Sequence, residues 1–119
     1  MGISLQRLES LSLRELSMIL RRDDNNRGLS NIGVTEVRIT NDLSYMTVFY
    51  TFYSGKNEDY QAALADSNSY LRTALAKKLN ARKMPELIFK LDESLSYGNH
   101  IDELLYEYHK KHDNKEGNK

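Results

Sequence analysis

The chain has 119 residues, 39% of them apolar and 29% charged, with no cysteine and one proline. This is one domain's worth of chain, able to bury roughly two-thirds of its unfolded surface without covalent staples. The lack of cysteine excludes a disulfide framework, a thiolate zinc site and a cysteine nucleophile. No apolar run approaches the roughly 20 residues of a membrane span, and the N-terminus lacks the apolar stretch of a signal peptide. Lys plus Arg and Asp plus Glu each number 17. That zero balance, taken alone, argues against a nucleic-acid binder.

Residues 4–22 read as an amphipathic helix. Leu5, Leu8, Leu11 or Leu13, Leu16, Ile19 and Leu20 recur every three to four residues, with most of the charges between them. A polar loop over 23–31 ends it. Two strands follow, Val34–Thr40 and Tyr45–Tyr53, joined by the turn signal Asn41-Asp42 into an antiparallel hairpin. Met46, Val48, Tyr50 and Phe52 share one face of the second strand and, with Val37 and Ile39, are predicted to lie under the helices. Tyr45, Thr47, Phe49, Thr51 and Tyr53 share the other face.

Residues 58–80 regain helical spacing through Tyr60, Leu64, Leu71, Leu75 and Leu79. Asp66-Ser67-Asn68-Ser69 interrupts them with four poor helix formers. The pattern predicts two helices, or one kinked at 67–69. After Pro85, Glu86–Leu91 reads as a third strand with Leu87, Phe89 and Leu91 inward. Residues 96–109 read as a last helix carrying Ile101, Leu104, Leu105 and Tyr108, which would cover the outer aromatic face. His109–Lys119 is polar throughout and reads as a disordered tail. The expected organisation is one domain over 1–108 and a tail over 109–119. The fold class is α+β, with helices on one face of a three-stranded mixed sheet and a right-handed crossover.

The zero balance hides a polarised chain. Leu71–Pro85 carries Arg72, Lys77, Lys78, Arg82 and Lys83 with no acid. Asp92–Tyr108 carries Asp92, Glu93, Asp102, Glu103 and Glu107 with no base. A charge run is usually a solvated face, yet like charges this close repel, and an external polyanion relieves that repulsion. A helix starting near Ser69 would add unpaired backbone N–H groups, with Ser67, Asn68 and Ser69 as donors for an anion or as plain caps. Two other readings stand beside polyanion binding. Tyr45, Phe49 and Tyr53 could form a protein-docking stripe. His100, His109 and His112 invite a small RNA-processing enzyme, although catalysis needs held geometry and these fall in or near the polar tail. Glu86 and Asp92, flanking the third strand, could orient the basic loop by ion pairing or be ordinary surface acids, and surface pairs contribute too little to assign them a role.

Four segments resemble the ribosome-binding factor A family. They are Val34–Leu43 continuing through Tyr45 into Val48–Phe52, Tyr70–Leu79, Arg82–Phe89 followed by Asp92 and Ser94, and Gly98–Leu105. The Arg-x-x-Pro-Glu-Leu-x-Phe segment is the most specific. The resemblance covers roughly residues 4–106. It departs at the interhelical position, where the family's Ala-x-Gly is Ser67-Asn68-Ser69, and before the first strand, where only Arg27 corresponds to its Asp-Pro-Arg. It implies a type II KH-like fold, cytoplasmic location and no catalysis. It also implies binding to the 30S subunit and 16S rRNA in late maturation, supporting 5′-end processing. The RNA-binding residues expected are Ser67, Asn68, Ser69, Arg72, Lys77, Lys78, Arg82 and Lys83. No cofactor, metal, membrane or small-molecule substrate is expected, and the protein is expected to be a monomer.

Overall fold

The computed structural model describes residues 4–23 and 28–95. Ser4 starts the first helix: its hydroxyl accepts a hydrogen bond from the Arg7 N–H at 3.1 Å, satisfying one of the donors a helix start leaves open. Helix α1 (Leu5–Arg21) follows and buries Leu16, Ile19 and Leu20. Ser12 is also fully buried on α1. Its small side chain lets the helix lie close to the elements it packs on.

Strands β1 (Ile32–Ile39) and β2 (Tyr45–Phe52) form the expected hairpin, from Ile32 opposite Phe52 to Ile39 opposite Met46. The register shifts between Val34 and Glu36, leaving Thr35 as a bulge. In the connecting turn the Asp42 carboxylate accepts from the Thr40 hydroxyl at 2.8 Å and the Ser44 N–H at 3.0 Å. Strand β3 (Glu86–Leu91) runs parallel to β2, so the order is β1-β2-β3 and β2 is central. Met46, Val48 and Tyr50 are fully buried, and Val37, Ile39 and Leu87 nearly so. The alternation in the sequence therefore assigned the covered face correctly. Tyr45 remains exposed on the opposite face, and Tyr53, just past the end of β2, is exposed too.

Helix α2 (Asn57–Leu79) makes the crossover, and of the two sequence readings the single helix holds while the separate pair does not. The helix is one unbroken run. Residues 67–69 are helical, and no second helix begins near Ser69. Tyr60, Leu64, Ser67, Leu71 and Leu75 form a continuous buried row at spacings of three and four. Burial of that row outweighs the weak local preferences of Asp, Ser and Asn. Asn68 does not compete for its own backbone, because its Nδ2 donates to the Leu87 carbonyl at 3.2 Å. The helix ends at Asn80, in the left-handed region at φ 56°. The Asn80 N–H reaches Lys77 O at 3.2 Å and the Ala81 N–H reaches Ala76 O at 2.9 Å, closing the end in a Schellman motif.

The mixed α+β fold is thus as the sequence predicted, with two α-helices among the described residues. None of these is long and apolar enough to cross a membrane. The last helix expected over 96–109 and the tail over 109–119 lie outside the described residues.

Candidate nucleic-acid interface

The end of α2 and the loop after it gather positive charge. Lys77 and Lys78 sit in the last turn, where cations offset the partial negative charge of the helix C-terminus. Arg82 and Lys83 follow in the loop, and all four are exposed. No acid lies between Leu71 and Pro85. The loop is held at both ends. Ala81 closes the helix cap, while Met84 and Pro85 are buried. Just beyond, the Glu86 N–H donates to Ser44 O at 2.9 Å, pinning the start of β3 to the β1–β2 turn. The cations therefore stand on a supported rim.

The other expected contact residues are placed differently. Arg72 is half-buried, with its Nε donating to Pro85 O at 3.1 Å and its Nη2 to Met84 O at 2.6 Å. Ser67 is 1% exposed, and its hydroxyl has no hydrogen-bond partner among the described residues. Asn68 is committed to Leu87, and Ser69 is exposed. Because all three serine and asparagine positions lie within the helix, their N–H groups belong to its ladder. The anion site expected at a helix start does not form there.

Two polar centres escaped the sequence reading. Asp92 is buried at 6% exposure, not a surface acid. Its carboxylate accepts from the hydroxyl of Thr35, at the β1 bulge, and from the N–H and hydroxyl of Ser94. The Asp-x-Ser spacing after a strand was the one available signal. At the other centre, the buried Tyr50 hydroxyl donates to Asn57 Oδ1 and accepts from Gln61 Nε2 at 2.7 Å. Gln61 also reaches Phe89 O at 3.2 Å. Burial pushes the Tyr50 phenol above its ordinary range, partly countered by the Gln61 hydrogen bond. Tyr45, on the open sheet face, and Tyr53, just past the end of β2, are 47% and 79% exposed, and Arg38 pairs with Glu36. Among the described residues no group of three His, Cys, Asp or Glu side chains could hold a metal ion. His100, His109 and His112 lie outside them.

Comparison with known proteins places this geometry. The ribosome-binding factor A family matches residues 4–105. Ribosome-binding factor A of Phytoplasma mali (strain AT) is 42% identical over 109 residues, covering 88% of this chain and 96% of the relative. The crystal structure of ribosome-binding factor A from Thermus thermophilus superposes with a TM-score of 0.67 at 25% identity, covering 74% of this chain and 94% of that one. A homology model of the Thermus thermophilus factor, fitted into the cryo-EM map of a 30S complex, shares the fold at 24% identity. Its TM-score is 0.61, over 73% of this chain and 93% of that one. A match running from the cap of α1 to beyond β3, with relatives aligned over nearly their full length, leads to one conclusion: the chain belongs to the ribosome-binding factor A family.

Proposed function

We propose that this chain is a non-enzymatic assembly factor that binds the 30S subunit through its 16S rRNA during late maturation. On this reading it supports processing of the rRNA 5′ end and acts as a cytoplasmic monomer. The observation that carries the reading is the rim formed by Lys77, Lys78, Arg82 and Lys83, exposed together on a segment without acids. Phosphate contacts from such a rim supply affinity that falls with salt. The zero net charge keeps sequence-blind attraction to free RNA low, so binding depends on a shaped ribosomal surface that presents phosphates to this one end. The relatives' name, ribosome-binding factor, agrees with this assignment.

The test is co-sedimentation of the protein with free 30S subunits over a range of salt. Lys77→Glu with Lys78→Glu is expected to weaken binding at least tenfold and to lower the salt slope by about one unit per lost phosphate contact. Unchanged binding would remove the basic rim from the interface. Purified protein incubated with 16S rRNA is expected to leave it intact; cleavage would bring back the enzyme reading. The exposure of Tyr45 and Tyr53 favours one second reading, a protein-docking face. The variant Tyr45→Ser with Tyr53→Ser is expected to keep 30S binding, and its loss would favour docking.

A further inference from the structure

Arg72 belongs by charge to the same run as Lys77, Lys78, Arg82 and Lys83, yet its Nε and Nη2 are turned to the protein's own backbone. Its guanidinium spans two consecutive carbonyls, Met84 O at 2.6 Å and Pro85 O at 3.1 Å. A planar fork of donors suits that bridge, whereas a lysine ammonium is a single point of attachment. The bridged carbonyls close the loop that displays Arg82 and Lys83. The first end of that loop is fixed by the Asn80–Ala81 cap and the second by Arg72, the buried Met84 and the buried Pro85. Asn68, one turn earlier on α2, holds Leu87 O in the same manner.

We infer that Arg72 is a positioning residue for the RNA-binding rim and not a phosphate contact. It rigidifies the loop before binding, so that Arg82 and Lys83 meet phosphates without a further ordering cost. The inference rests on the proposed function above, because it matters only if the rim binds RNA.

The experiment compares Arg72→Lys and Arg72→Gln with Lys77→Glu/Lys78→Glu. It reads 30S affinity, the salt slope of that affinity, and amide hydrogen exchange over residues 81–83 of the free protein. A positioning role gives three results. Both Arg72 variants bind about fivefold more weakly, the scale of re-ordering roughly one loop residue on binding. The salt slope stays at the wild-type value, and exchange over 81–83 accelerates. A phosphate contact gives a different pattern: Arg72→Lys binds like wild type, Arg72→Gln loses about one unit of slope, and exchange is unchanged. That pattern would overturn the inference. Should Arg72→Gln fail to fold, Arg72→Lys decides alone, since it keeps the charge and loses only the fork. If the Lys77/Lys78 variant binds normally, the underlying reading of the rim fails. The exchange data then still report whether Arg72 orders the loop.

Discussion

At the β3 edge of the sheet two side chains of α2 reach over to the strand and a third to the residues just before it, whereas at the β1 edge one carboxylate of α1 does so. The Glu86 and Asp92 N–H groups point into the sheet, to Ser44 O and Tyr50 O. The backbone groups of the odd-numbered residues of β3 therefore face outward. Gln61 caps Phe89 O, Asn68 caps Leu87 O and Arg72 caps Pro85 O, taking every second carbonyl from one side of one helix. On the far side Glu9 accepts from the Ile39 N–H at 2.9 Å, and the Thr35 bulge interrupts the strand. An open cleft of about 660 Å³ lies there, lined in part by Arg7, Glu9, Thr35 and Arg38. Bare edges invite pairing with other chains, and both devices occupy or interrupt groups that would otherwise pair. The contrast teaches that polar residues near a basic run are not all available to an outside partner. On α2 the fold has claimed those that face β3 and left the cations beyond them to the surface.

The largest expected effect falls where the two edges are joined. Asp92 leaves β3 and accepts from Thr35 of β1, so Asp92→Ala strips the Thr35 and Ser94 hydroxyls and the Ser94 N–H of a buried acceptor. A loss of about 3 kcal/mol is expected, read as a fall of more than about 10 °C in Tm. A melting curve within about a degree of wild type would mean the edges are not tied through this carboxylate. Next come the edges themselves. Gln61→Ala takes donors from both Phe89 O and the buried Tyr50 hydroxyl and is expected to cost about 2 kcal/mol. Glu9→Ala opens only one N–H, at a site water can reach, and is expected to cost about 1 kcal/mol. Equal losses in urea denaturation would show that the two closures differ in form but not in strength.

The sheet was legible because β2 alternates: Met46, Val48 and Tyr50 are buried on one side, and Tyr45 is exposed on the other. The exposed cations were legible too, since a run without acids is a property of the sequence itself. What could not be read were roles set by distant partners. For Asn68 and Arg72, nothing local reveals that Leu87, Met84 and Pro85 lie beside them. Asp92 looked like a surface acid because Thr35 is 57 residues away. Whether α2 is one helix or two was left open for the same reason. Four weak helix formers are a local signal, and the buried row that overrides them is a tertiary one.

The smallest expected effect lies at the turn where all three strands meet. Ser44 donates its N–H to Asp42 and accepts from the Glu86 N–H, so one residue links the hairpin to the start of β3. Hydrogen bonds from the Thr40 hydroxyl, then from Ser44, hold the Asp42 carboxyl below its ordinary value of 3.8. A carboxyl whose folded pKa lies below its unfolded one stabilises the fold above the unfolded value. It loses that contribution as pH falls through the folded one. Asp42→Asn keeps an acceptor but no charge, so the variant is expected to be slightly less stable than wild type near neutral pH. The gap should start to shrink as pH falls below about 3.8 and vanish once pH is below the folded value. Because Asp42 is fully exposed, the gap is small and needs paired urea titrations to resolve. The Thr40 hydroxyl is a second acceptor in the same turn, receiving the Ser44 and Tyr45 N–H groups, both at 3.1 Å. A gap that persisted unchanged into acid would assign the turn to Thr40 and make the link between the edges independent of charge.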